Sequence, residues 1–317
     1  MNKSERPPRP QPFLSARPAS IRVPLAPRIL PPALPPHLVV FDTSYLAHRA
    51  RWTIGGMEHK GRPTGVLYGV LTQVNKIRRL FPSNSFIVFA WDSLTSLRRE
   101  RLPIYKASRK KELTREEKKE KLEFFEQMNC LRHDALEPMG FLHHVSRRGY
   151  EADDAIASLV NWAAERPREI GATWVVSNDD DLFQLLNRCS LYRPLQGANY
   201  TERDLLKEWN LSPDQWPVAT AIAGDHNGVP GIKGVGVKTA ARYLNGDHIP
   251  ESKKKEIDDA MNNGQVEKNL EMILLPYKGT NLVPCSFSPD QYRLDLEGLE
   301  WVREELGFHS FREEEWA

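Results

Sequence analysis

The sequence predicts an α/β chain: a parallel sheet with helices on both faces, followed by a small helical module. Two observations carry this. Three short apolar runs, Leu38-Val39-Val40-Phe41, Phe86-Ile87-Val88-Phe89-Ala90-Trp91 and Trp174-Val175-Val176, are unbroken by polar residues, the mark of strands buried on both faces. Between them lie helical patterns, Leu67, Val70, Leu71, Val74 and Ile77 in one case and Ile156, Leu159, Val160 and Ala163 in another. Strand and helix in alternation build parallel sheets, and such sheets place ligands beyond the carboxyl ends of their strands.

Residues 1–37 read as a separate tail. Of the 24 prolines, 11 fall in residues 1–36, and proline removes donors and fixes φ, so an extended or disordered segment is expected. A basic arm, an upstream start codon without function and an organelle-targeting segment compete to explain it; the last lacks the Ser-rich amphipathic pattern. Order begins at Leu38, and residues 38–200 form the predicted sheet domain. After about residue 200 the strand-like runs stop. Thr201-Glu202-Arg203-Asp204 has the form of a capped helix start, and residues 201–317 are expected to be mostly helical.

Composition excludes several classes. No apolar run approaches the roughly 20 residues a membrane span needs. Cys130, Cys189 and Cys285 form no CxxC, which argues against a disulfide scaffold or zinc finger and suits a reducing, cytoplasmic setting. The net charge of +2 conceals a tail near +5 and a remainder near −3, so any binding of nucleic acid has to come from local basic patches.

Each apolar run leads into acids. Asp42 and Asp92 follow the first two directly, and Asp179, Asp180 and Asp181 follow the third after Ser177-Asn178. Glu151-Ala152-Asp153-Asp154 opens the helix that carries Ile156, with Glu151 and Asp154 able to share a face. A lone Asp after a strand is usually a turn or cap residue. Asp42, Asp92, Glu151, Asp153, Asp154, Asp179 and Asp181 directed at one place are another matter, because clustered carboxylates repel unless cations lie among them. Hard divalent ions, Mg²⁺ with Mn²⁺ as substitute, are the matching partners.

Arg98 to Lys111 supplies the opposite charge: seven cations around Tyr105, with Glu100 as its single acid. Cations to hold phosphates beside metals to activate water are what phosphodiester hydrolysis requires. Farther on, Gly231-Ile232-Lys233-Gly234-Val235-Gly236-Val237-Lys238 is a glycine-rich turn that opens a helix. It lacks the GK[ST] ending of a phosphate-binding P-loop and follows no strand. A hairpin between helices that grips a nucleic-acid backbone fits it better.

These stretches, with Gly61-Arg62-Pro63-Thr64-Gly65, Gly149-Tyr150-Glu151-Ala152-Asp153-Asp154, Asn178 through Leu186 and Gly224 through Ala240, resemble the 5′ nuclease family: the 5′-3′ exonuclease domain of bacterial DNA polymerase I, the phage 5′ exonucleases and the flap endonucleases. The resemblance implies a PIN-like catalytic domain and a helix–three-turn–helix module for DNA replication and repair. It implies a two-metal hydrolase that cuts where a 5′ single strand leaves a duplex, in the nucleoid or a phage-infected cell. No polymerase-like stretch follows, so a stand-alone nuclease is expected, without membrane or small-molecule cofactor. By resemblance, Asp42, Asp92, Glu151 and Asp153 surround one ion and Asp154, Asp179, Asp181 and Asp225 the other. Tyr105, Lys106 and Arg109 match the residues at the scissile phosphate. Arg98, Gly231, Lys233, Gly234, Gly236 and Lys238 are expected on DNA, with K⁺ at the turn.

One departure stands out. The family follows Gly-Asp with two residues and a second Asp; here Gly224-Asp225 runs into His226-Asn227, with Asn227 near that second place. A neutral amide offers oxygen without charge, so a weaker second site is expected. Two other readings remain: a catalytically impaired, structure-selective DNA-binding protein, and removal of RNA from RNA–DNA hybrids. A nucleotide hydrolase is disfavoured because Asp42-Thr43-Ser44-Tyr45 contains no glycine.

Overall fold

The computed structural model describes residues 35–103, 105–106, 112–225, 227–280 and 293–316. The expectations for residues 1–34 and for Arg109 lie outside the described residues.

Strand β1 (Leu38–Asp42) is the centre of a six-stranded sheet ordered β5-β4-β1-β6-β7-β8. Its parallel neighbours are β4 (Phe86–Ala90) and β6 (Thr173–Val176), with Asp42 level with Ala90 and Phe41 level with Val176. Chain connections diverge to either side of β1, so a crevice opens at its carboxyl end. The short β5 (His144–Val145) extends one side in parallel, and β7 (Ser190–Arg193) extends the other. The last strand, β8 (Ala198–Tyr200), is antiparallel to β7. Strands β7 and β8 add a mixed edge that the sequence did not announce, since Leu191-Tyr192 alone is too short an apolar signal.

Both faces of β1 are buried, which is why its pattern is continuous. Leu38 and Val40 join Ile156 and Leu159 of α5 (Ala152–Ala164) on one face. On the other, Val39 and Phe41 pack with Leu46 of α1 (Thr43–Ile54) and with Leu71 and Val74 of α2 (Gly65–Arg78). A hairpin of β2 (Glu58–His59) and β3 (Arg62–Pro63) joins α1 to α2. The basic segment contributes a short α3 (Leu97–Arg101), and α4 (Arg115–Cys130) starts on a Thr114–Glu117 capping box.

Beyond β8 the described chain is helical: α6 (Glu202–Trp209), α7 (Trp216–Ala223), α8 (Val237–Leu244), α9 (Glu251–Asn262) and α10 (Gln265–Ile273). Thr201 does cap α6, with Asp204 completing the box. Ile222, Ala240 and Ile257 share a core with Val40 and Ile156, and Phe183 joins the parts by stacking on Tyr200 at 4.6 Å and meeting Trp216 at 4.9 Å. The last stretch leaves the helical group. Val302 of α11 (Leu296–Glu305), Phe308 and Trp316 of α12 (Glu313–Trp316) pack on the opposite face, in the cluster of Phe41 and Leu71. Among the described residues no helix is long and apolar enough to cross a membrane.

Candidate active site

The carboxyl ends of the three central strands supply the first acids. Asp42 ends β1 and caps α1, its Oδ1 accepting from the Tyr45 amide at 2.9 Å and its Oδ2 from the Ser177 hydroxyl at 2.8 Å. Asp92, just past β4, accepts the Ala152 amide at 2.8 Å and so fixes the start of α5. Asp179, past β6, caps the next turn by accepting the Asp181 amide at 2.9 Å. These are the ordinary structural duties of an acid after a strand. They coexist with a charge problem that caps alone do not produce.

Burial first, and then Asp92 and Asp179, push the Asp42 carboxyl up to about 7. Burial, Asp179 and Asp225 do the same for Asp181, also to about 7. Asp153, in the first turn of α5, is raised well above the carboxylate range by burial and by Asp179, Asp42, Asp92 and Asp181. Six acids from five chain segments therefore share one electrostatic field. Among the described residues no three or more of them already close into a metal cage. The donor set is oxygen only, crowded and mutually repelling, which fits hard divalent cations and suits neither soft metals nor a neutral ligand.

Glu151 sits where acids and bases meet. Its Oε2 accepts from Lys106 Nζ at 2.8 Å and Tyr105 Oη at 3.0 Å. Burial would raise its pKa, but Lys106 and then Arg98 and Tyr105 outweigh that and hold it below the usual range. Lys106 takes a left-handed φ of +52°, a conformation a non-glycine residue adopts only when its surroundings demand it. The demand is visible: its amide donates to the Asn227 carbonyl. Asn227 in turn donates its amide to Asp225 Oδ1 at 2.9 Å. The shortened loop thus ties Asp225 to Lys106.

Four of the expected site residues sit in surroundings of another kind. Asp154 is not placed as a metal ligand: Oδ2 accepts from Arg98 Nη1 at 2.7 Å and the Glu151 amide at 3.1 Å, and Oδ1 from Arg98 Nη2 at 2.9 Å and the Tyr277 amide at 2.7 Å. With 0% exposure, its lone pairs are spent. Arg98, 3% exposed, is correspondingly not on the DNA-facing surface; it also donates to the Met272 and Leu274 carbonyls and lies 4.6 Å from the Tyr277 ring centre. Tyr105 is buried and orients Glu151 instead of facing a phosphate. Gly231 is a packing glycine, since a Cβ there would meet the Ala223 carbonyl at 1.9 Å.

Gly234, at φ +71°, and the exposed Lys233 do lie at the turn before α8, Gly236 is its N-cap with open space around it, and the exposed Lys238 falls in its first turn. Residues the sequence did not single out include Ser177, which holds Asp42, Ser96, whose hydroxyl reaches Glu151 Oε1 at 3.4 Å, and Tyr277. A serine after a strand carries no pattern by which it could have been found.

Comparison with known proteins agrees with this fold. Residues 37–210 match the family described as 5′-3′ exonuclease, N-terminal resolvase-like domain. The thermostable DNA polymerase I of Thermus filiformis is 27% identical over 297 residues, covering 88% of this chain and 33% of that protein. The chain thus spans about a third of the length of the curated relatives it matches. A structure of bacteriophage T5 5′-exonuclease with bound zinc has a TM-score of 0.61 at 20% identity, over 76% of this chain and 90% of that one. The bacteriophage T5 flap endonuclease, in a pseudo-enzyme-product complex with DNA and metal ions, has a TM-score of 0.61 at 20% identity over 85% and 94%. The PIN-like α/β architecture expected from the sequence is the one observed. By its sequence match, and with a fold to suit, the chain belongs to the 5′-3′ exonuclease family.

Proposed function

We propose that this protein is a Mg²⁺-dependent nuclease that hydrolyses DNA phosphodiester bonds at 5′ ends and 5′ flaps. The observation that carries the reading is the field of six acids, Asp42, Asp92, Asp153, Asp179, Asp181 and Asp225, set beside Glu151 and Lys106. Bound divalent ions would supply an activated water and offset charge on the leaving oxygen. Asp42, Asp92, Glu151 and Asp153 would hold one ion, and Asp179, Asp181 and Asp225 the other.

The chain's own residues do the remaining work. Lys106 Nζ rests on Glu151 at 2.8 Å, and a substrate phosphate competes for the same ammonium. Transfer of Lys106 from carboxylate to phosphate frees Glu151 for the metals and offsets the charge that develops on the phosphate. Arg98 and Asp154 keep the start of α5 in place while this happens. Lys233, Lys238 and the open Gly236 amide hold the duplex away from the chemistry.

Product mapping on a labelled 5′ flap, a nicked duplex and single-stranded DNA tests this. Cleavage near the flap junction that needs Mg²⁺ and stops with chelator is expected. Tight flap binding without a cut product under any divalent ion would replace the reading with that of a binding protein.

A further inference from the structure

The glycine turn carries a cation of its own. Lys253 lies in the first turn of α9, and its ammonium donates to the Lys233 carbonyl at 2.8 Å. Glu256, three residues on, holds the same ammonium at 2.8 Å. Gly234 makes the approach possible: a Cβ there would already stand 3.3 Å from Lys253 Nζ. The helix thus delivers a positive charge to the backbone of the turn.

A monovalent ion bound by backbone needs several converging carbonyl oxygens to replace its water shell. This turn has largely committed its own. Val229 O accepts the Asp225 amide, Pro230 O the Asn269 side-chain amide, Ile232 O the Val235 amide, and Gly236 O the amides of Thr239 and Ala240. Lys233 O has Lys253. A second cation would have to compete for that oxygen and sit against the ammonium. The residues present do not fit the K⁺ that the family resemblance implies.

We propose that Lys253 is the built-in cation of this turn, fixing the Lys233 carbonyl so that duplex binding by this chain requires no potassium. The proposal rests on the reading of the turn as the duplex grip. An ammonium and a potassium ion are both singly charged and close in size, so either can brace one carbonyl while the Gly236 amide and the start of α8 face outward. The tethered ammonium brings no cost of capturing an ion from solution.

Two measurements test it, each in potassium chloride and in tetramethylammonium chloride at equal ionic strength. The first is the melting temperature of the DNA-free protein; the second is its affinity for a nicked duplex with chelator present. The native chain and Lys253→Arg are expected to be indifferent to the swap in both. Lys253→Met should bind roughly tenfold more weakly in both salts, the size of one charge-assisted hydrogen bond, because the single carbonyl it frees does not make a potassium site. A native chain that melts higher or binds several-fold tighter in potassium overturns the proposal, and so does a Lys253→Met that matches it in both salts. If no variant binds duplex in either salt, the duplex-grip reading fails. The melting temperatures still decide the cation: a lower value for Lys253→Met in both salts, restored by Lys253→Arg, supports the proposal, and potassium-specific stabilisation of the native chain overturns it.

Discussion

Arg98 grips Asp154 through two parallel hydrogen bonds of 2.7 and 2.9 Å, and both side chains are buried. The pair joins three chain segments: α3, the start of α5 through the Glu151 amide, and the end of α10 with the stretch after it through Met272, Leu274 and the Tyr277 amide. Breaking a buried pair leaves its partner unpaired, so Arg98→Ala is expected to destabilise the fold by about 3–5 kcal/mol in denaturant titration.

The same geometry separates Asp154 from the acids around it. Asp154→Asn should slow cleavage by loosening the start of α5 at Glu151, with a smaller rise in the Mg²⁺ midpoint than Asp179→Asn produces. Asp179→Asn should cut the rate by at least about a hundredfold while flap binding persists, because it weakens the hold on the cation that would offset the transition-state charge. Magnesium titrations of both variants on one flap substrate check this. A rise in the Mg²⁺ midpoint for Asp154→Asn as large as that for Asp179→Asn would put Asp154 among the ligands.

The contrast shows what a sequence can and cannot disclose. Strands buried on both faces print continuous apolar runs, so β1, β4 and β6 and the acids at their ends were legible, as was the capped start of α6. Arg98 and Asp154 stand 56 residues apart, and nothing in either local context says that one is spent on the other. A cation near a basic run reads as surface, an acid beside acids reads as ligand, and only tertiary packing reverses both. Gly231 misled for a related reason. Glycine that admits a phosphate and glycine that admits the Ala223 carbonyl look alike in sequence.

Lys106 and the turn lysines should separate rate from affinity. Lys106→Ala removes the ammonium bound to Glu151, and is expected to slow single-turnover cleavage far more than it weakens duplex binding. Lys233→Ala and Lys238→Ala should weaken binding and lower its salt slope by roughly 0.9 for each phosphate left without its cation, with little change in the rate at saturation. Equal effects from both positions on both readouts would erase the division between chemistry and grip.

The acid field also predicts how stability follows pH. Asp42 and Asp181 titrate near 7 in the folded chain against 3.8 for an unperturbed Asp, and Asp153 is raised too. Between about pH 4 and 7 the folded metal-free chain therefore holds protons that the unfolded chain has lost, so stability falls as pH rises through that window. With chelator present, the melting temperature should drop from about pH 5 to about pH 7.5. Added Mg²⁺ should raise it more at the higher pH, where the carboxylates are ready to receive it. A metal-free melting temperature that climbs over this interval would mean that the acids do not share one buried field.

Asn227 decides how strong the second ion site can be. It is 5% exposed, its amide donates to Asp225 Oδ1, and its carbonyl accepts the Lys106 amide, so its backbone stands between the last acid and the lysine. An Asn in place of a carboxylate lowers the charge offered to a cation, and saturation only at high Mg²⁺, or a preference for Mn²⁺, is expected of the native chain. Asn227→Asp adds charge to a crowded, buried place. In the metal-free protein this should lower the melting temperature, because another carboxylate must be buried among acids. In the presence of Mg²⁺ it should lower the concentration needed for half-maximal cleavage, since the ion then meets an additional anionic oxygen. The two effects have opposite signs and one cause, so they must appear together. Destabilisation with an unchanged midpoint would mean that the shortened loop has turned position 227 away from the metals, leaving Asp179, Asp181 and Asp225 to hold the second ion alone.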